Sequence, residues 1–163
     1  MMIPPECQED HFVMIHPNPL WYERGNFVIR AYLGFEDSRH EWEQLYTTQI
    51  SEYRFKLCCI PFLAYDLALD DEVETDTDFT IQKVVSHSGH WTFRVVFPED
   101  VSENTVKEIL TMCDDYGVFH EHNHTNLLAI SAPDPLTGQK VADYLWDLEQ
   151  KGKLEYDTGR THD

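Results

Sequence analysis

Residues 91–131 read WTFRVVFPED VSENTVKEIL TMCDDYGVFH EHNHTNLLAI S, and the order of their periodicities decides the fold. The run 91–97 is β-rich. Asp100 with Glu103 then forms a capping-box pattern, and Val106, Ile109, Leu110 and Cys113 follow at i, i+3, i+4, i+7. Gly117 stands where a helix ends in the left-handed conformation. Two strands are expected over 118–122 and 126–131, joined around His124-Thr125. Asp134-Pro135 opens a second helix with Val141, Leu145 and Leu148 on one face and Gly152 as its stop. A short strand over 153–156 closes the series. The order β-α-β-β-α-β is that of a ferredoxin-like unit.

Toward the N-terminus the period changes to two. Residues 27–35 alternate, with Phe27, Ile29, Ala31, Leu33 and Phe35 on one face. Residues 53–60 alternate again until Pro61, with 50–52 as the expected hairpin connection. Residues 11–15 and 79–85 read as further strands, and 86–90 as a turn. The segment 41–49 is ambiguous: Trp42, Leu45, Tyr46 and Gln49 suit a helical stripe, whereas Tyr46-Thr47-Thr48 prefers a strand. The expected class is therefore α+β. A loose arm (1–10) precedes a β-rich lobe (11–89), built as a small antiparallel barrel or curled sheet. The ferredoxin-like lobe (90–158) and a tail (159–163) follow.

Composition bounds the function. Thirty acidic residues against twelve basic ones give a net charge of −18, whereas a magnitude of roughly 2–8 suffices to keep a small domain soluble. Hydrophobic residues are 42% and aromatics 13%, so the acidity belongs to a folded chain, not to a disordered tail. No run approaches a membrane span, and the N-terminus lacks the basic and apolar regions of a secretory signal. Cys7, Cys58, Cys59 and Cys113 contain no CxxC spacing, which points to free thiols and a cytoplasmic location. Twelve scattered basic residues form no patch for nucleic acid or an anionic membrane.

Several phrases resemble the bacterial domain of unknown function 4265 family over residues 41–158. They are Ile60-Pro61-Phe62-Leu63-Ala64-Tyr65, Leu69-Asp70-Asp71-Glu72-Val73, Val84-Val85 with Ser88-Gly89-His90, and Thr92-Phe93-Arg94-Val95. Leu128-Ala129-Ile130 and the Gly-Lys-Leu-Glu-Tyr run at 152–156 complete the likeness. The chain departs from the family where Asp70-Asp71-Glu72 replaces a usual Gly-Asp before Val73. The resemblance implies a fold and no activity.

Three features could carry chemistry. Asp66, Asp70, Asp71, Glu72, Glu74, Asp76 and Asp78 form the longest acidic run, with no Lys or Arg from 57 to 82. With Glu36, Asp37, Asp114 and Asp115, they are the expected contacts for a cationic partner, since a field of one sign steers association. The same run could instead be a solvated hairpin guarding a strand edge. His120, His122 and His124 would share a strand face, the residue types of a zinc site, but their spacing of about 6–7 Å opposes convergence on one ion. Ser88-Gly89-His90 fits a tight turn better than a nucleophilic pair. The sequence thus supports a cytoplasmic bacterial immunity protein, or antitoxin: not an enzyme, but a protein that occludes the active site of a basic toxin. A DNA mimic and a metal-dependent enzyme using the histidines are the alternatives.

Overall fold

A computed structural model describes residues 10–123 and 126–160. Its strands form two sheets, and two helices cover one face of the second. The first sheet contains β1 (His11–Met14), β2 (Phe27–Glu36), β3 (Arg39–Ser51), β4 (Arg54–Leu57), β5 (Glu72–Thr75) and β6 (Ile81–Ser86). A single 3-10 turn, Tyr22–Arg24, precedes β2. The second sheet contains β7 (Trp91–Val96), β8 (Phe119–His122), β9 (Leu127–Ala132) and β10 (Glu155–Asp157). Helices α1 (Glu103–Tyr116) and α2 (Pro135–Gln150) connect them.

The ambiguous segment 41–49 is strand, inside β3. Its inward residues are Glu43, Leu45 and Thr47, all fully buried. Two of the three are polar, which hides the period of two from a hydrophobicity reading. Along one edge, β3 pairs antiparallel with β2 from Phe27↔Thr47 to Glu36↔Arg39. Along its other edge, β3 pairs first with β1 and then with β4. The β1–β3 pairing is parallel, so the lobe is not the purely antiparallel one expected.

Irregular registers at Tyr32/Gly34, Gln49/Ser51 and within β5–β6 increase the twist and curl the sheet. The curl brings Thr80 beside Arg30, where one isolated bridge and a hydrogen bond from Arg30 Nε to Thr80 Oγ1 join them without a continuous strand pairing. Among the described residues, the sheet is curled and no barrel closes. The hairpin between β3 and β4 turns at Glu52-Tyr53, later than the 50–52 expected.

The second sheet has the order β10-β7-β9-β8, with every pairing antiparallel. Helix α1 starts at Ser102, whose side chain accepts from the Thr105 amide, and not at an Asp100–Glu103 capping box. Gly117 ends it at φ 68°. Asp134 caps α2 as its sequence indicates, accepting from the Thr137 amide at 2.7 Å. All six residues of β9 are buried because both faces of its sheet are covered. Leu128, Ile130 and Ala132 join the core under the helices. Leu127 and Ala129 meet Ile60, Phe62 and Leu69 in a third core between the sheets.

Candidate functional site

Between the sheets lies a buried ionic triad. His16, just beyond β1, places Nε2 at 2.6 Å from Glu43 Oε2 and Nδ1 at 2.8 Å from Glu121 Oε1. Glu43 comes from β3 and Glu121 from β8, so the triad ties the first sheet to the second. Each ring nitrogen faces a carboxylate oxygen, the arrangement in which an imidazolium donates from both. The His16 ring also stacks on Phe62 with centroids 4.4 Å apart.

The carboxylates are held by backbone amides. Glu43 Oε1 accepts from the Leu63 and Ala64 amides at 2.9 and 2.8 Å, and Oε2 accepts from Phe62 at 2.6 Å. Glu121 Oε2 accepts from Ile60 at 2.6 Å and from Leu20 at 3.2 Å. The strand that begins at Arg54 stops at Leu57, which frees the amides of Ile60, Phe62, Leu63 and Ala64 to turn inward. Burial favours a neutral imidazole, but contact with Cys59, Glu121 and Glu43 outweighs it and holds the His16 pKa well above its ordinary value. Glu43 also feels burial first, yet the hydrogen bond and charge of His16 and the Phe62 and Ala64 amides draw its pKa down. Burial pushes the Cys59 thiol up, while the charge and hydrogen bond of His16 draw it down.

His16, Cys59 and Glu121 are a metal-capable donor set, with ligand atoms within 4.8 Å of one another. The residues do not fit a cation. Both imidazole nitrogens donate, and the carboxylates point at five amide N–H groups whose dipoles present positive charge. The arrangement suits a buried imidazolium that fastens one sheet to the other.

The predicted acidic contacts do not gather into one loop surface. Asp71 is 1% exposed. Its carboxylate accepts from the Ala68 and Ser88 amides at 2.9 and 2.7 Å, so it braces a turn and is unavailable to a partner. Glu72 and Glu74 are half-buried opposite Arg54, at 3.6 and 3.2 Å. The missing basic residues of 57–82 are thus supplied across the β4–β5 register, where Lys56 also faces Glu72. Asp76 Oδ1 accepts from the Asp78 and Thr80 amides and shapes the β5–β6 turn. Asp66 and Asp78 are exposed, and Asp70 is half-buried. Glu36 and Asp37 stand exposed at the β2–β3 turn, and Asp114 and Asp115 at the end of α1.

His120 and His122 pair with Ile130 and Leu128, on the helix side of the sheet, while Glu121 points to the triad. His124 lies outside the described residues. His90 Nδ1 lies 3.0 Å from Ser131 Oγ, a hydroxyl that is fully buried and out of reach of a substrate.

The triad residues Glu43 and Glu121 and the 60–64 loop fall inside a segment, residues 43–156, that matches the profile of the domain of unknown function DUF4265. The chain belongs to the DUF4265 family. In this DUF4265 chain the Ile60–Tyr65 phrase has a structural purpose, since its amides cradle the Glu43 carboxylate. A crystal structure of a hypothetical protein from Neisseria gonorrhoeae has the same fold, with a TM-score of 0.67 and 19% identity, covering 85% of this chain and 98% of that one. Comparison with curated proteins gave no match. Among the described residues, no helix is long and apolar enough to cross a membrane.

Nothing local in the sequence marks the triad. His16 is a lone histidine in a Pro-flanked loop, and Glu43 and Glu121 are single acids on strands. A carboxylate at an inward position of an alternating strand is the one signal that could have flagged either of them.

Proposed function

We propose that this DUF4265 chain is a binding protein that neutralises a basic protein partner, in the manner of an immunity protein holding a toxin. The observation that carries the reading is the placement of Asp114 and Asp115. They occupy the C-terminal turn of α1, which contains no basic residue. Carboxylates there oppose the helix dipole at a cost of about 0.3–1 kcal/mol each, and no ion pair with either is found among the described residues. Charge that the fold does not use is available to a partner. Tyr116 beside them and Trp146 on α2, 56% exposed, are aromatic anchors of the kind protein interfaces favour.

The contact surface in this reading is the helical layer, with Glu36, Asp37, Asp66 and Asp78 adding to the attractive field. The layer's βαββαβ order and its sheet order β10-β7-β9-β8 support a ferredoxin-like description. Buried free thiols at Cys58, Cys59 and Cys113 support a reducing, cytoplasmic site of action.

Co-purification of the chain with the product of its neighbouring gene tests the reading. A complex should form whose affinity falls steeply with salt, and Asp114→Lys with Asp115→Lys should weaken it by at least about tenfold. A complex indifferent to both changes overturns the surface. Enrichment of a nucleic-acid-binding protein that DNA competes away would favour mimicry of DNA instead.

A further inference from the structure

The cleft between the sheets contains a cation that the fold leaves incompletely partnered. Arg94 projects from β7 on the face opposite Phe93 and Val95, and it is 4% exposed. Its Nη2 donates to the Ala64 carbonyl, and its guanidinium lies 4.6 Å from the Tyr65 ring centroid. Asp157 Oδ1 comes no nearer than 4.0 Å to Nη1. That carboxylate is already engaged, accepting from the Tyr65 hydroxyl and the Gly159 amide. Arg94 Nε has no hydrogen-bond partner among the described residues. Burial of the guanidinium is costly; the charges of Glu43 and Asp157 and the Tyr65 side chain offset it, but none of them partners Nε.

The space beside it is a cleft of about 660 Å³, inside the roughly 300–1,000 Å³ range of small-molecule sites. Tyr32, Leu33, Val84 and Val96 supply apolar walls, and Lys83 adds a second cation. Glu36, Glu41 and Asp66 also line it.

We propose that this cleft binds a small monocarboxylate with an apolar or aromatic body, anchored by Arg94. The ligand carboxylate takes the place at the guanidinium that Asp157 fills at a distance, and the body lies against Tyr32, Leu33, Val84 and Val96. The surrounding carboxylates repel a ligand of higher negative charge, so nucleotides and other polyanions are excluded. The proposal is independent of the protein-binding reading, because it uses the inter-sheet cleft and not the helical layer.

Titration calorimetry on the full chain tests it, with hexanoate, benzoate, 4-phenylbutyrate and indole-3-acetate as probes. Each is compared with its own primary amide, and ADP serves as the polyanion. At least one carboxylate should bind with a Kd of about 1 mM or tighter, its amide should bind at least about tenfold more weakly, and ADP should give no binding heat. Arg94→Met should abolish binding. Because that change could also disturb folding, Val96→Glu is the second variant: the position is 43% exposed and leaves the guanidinium in place. It should weaken the bound carboxylate by about tenfold or more. The proposal is overturned if none of the four carboxylates binds, if amides or ADP bind as well, or if Val96→Glu leaves the affinity unchanged.

Discussion

The Glu43 carboxylate is the residue on which most of the inter-sheet architecture converges. It accepts three backbone N–H groups and the His16 ring, so its removal strands four donors in a dry core. Glu43→Gln keeps the volume but replaces one acceptor oxygen by a donor. We expect a loss of about 3 kcal/mol or more in urea unfolding, because breaking a buried pair from one side leaves the other charge uncompensated. A loss below about 1 kcal/mol, the value of an ordinary hydrogen bond, would show that the triad is incidental.

The triad also sets a pH window. His16 has a raised pKa, so its contribution is complete below its ordinary value of 6.5 and fades as pH rises toward the folded value. Glu43 has a lowered pKa, so its contribution is complete above 4.5 and fades as pH falls through the folded value. The stability difference between the native chain and His16→Gln should therefore be greatest between these two values and shrink on the alkaline side. Melting temperatures of both proteins from pH 5 to pH 9 measure it, and a constant difference would contradict the assignment. Two titratable neighbours face the triad: burial raises Cys59, and burial lowers Arg94 against the opposing charge of Glu43.

At the scale of elements, the two helices obey opposite electrostatic logic at their ends. Asp134 caps α2 and is held below the usual carboxylate range by its bonds to Thr137. Replacing it with Ala should lower the stability of the chain, since the Thr137 amide loses its acceptor. Asp114 and Asp115 sit at the wrong end of α1, so Asp114→Asn and Asp115→Asn should each stabilise the chain by about 0.3–1 kcal/mol at low salt. Chemical denaturation at about 10 mM salt, where screening extends over roughly 30 Å, reads both effects. Destabilisation by the α1 variants would mean that the pair has a structural partner and is not reserved for an interface. The helices themselves were legible in the sequence because their apolar stripe repeats locally. The cap of α1 was misplaced by two residues, since Asp100 and Ser102 are both competent caps and only the chain path from β7 chooses between them.

For the whole molecule, −18 is a net repulsion that compaction increases. The melting temperature should rise as sodium chloride goes from about 10 to about 150 mM, which shortens the screening length from roughly 30 to 8 Å. A melting temperature that falls with salt would imply that attractive pairs such as Arg54 with Glu72 and Glu74 dominate the surface.

The sequence by itself determined the class, the order of elements from Trp91 onward, the helix stops and the sign of the charge. Those properties depend on residues near one another in the chain. Only the tertiary structure decided which acids remain at the surface. Asp71 vanishes into a turn, Glu72 and Glu74 meet Arg54 across a strand pair, and Glu43 and Glu121 close on His16 from 27 and 105 residues away. A carboxylate's role is fixed by the donors that reach it, and here the deciding donors come from other strands and from a loop. The acidity is therefore divided: Glu43 and Glu121 fasten the sheets together, Asp71, Glu72 and Glu74 brace turns and strand pairs within the first sheet, and the rest face outward.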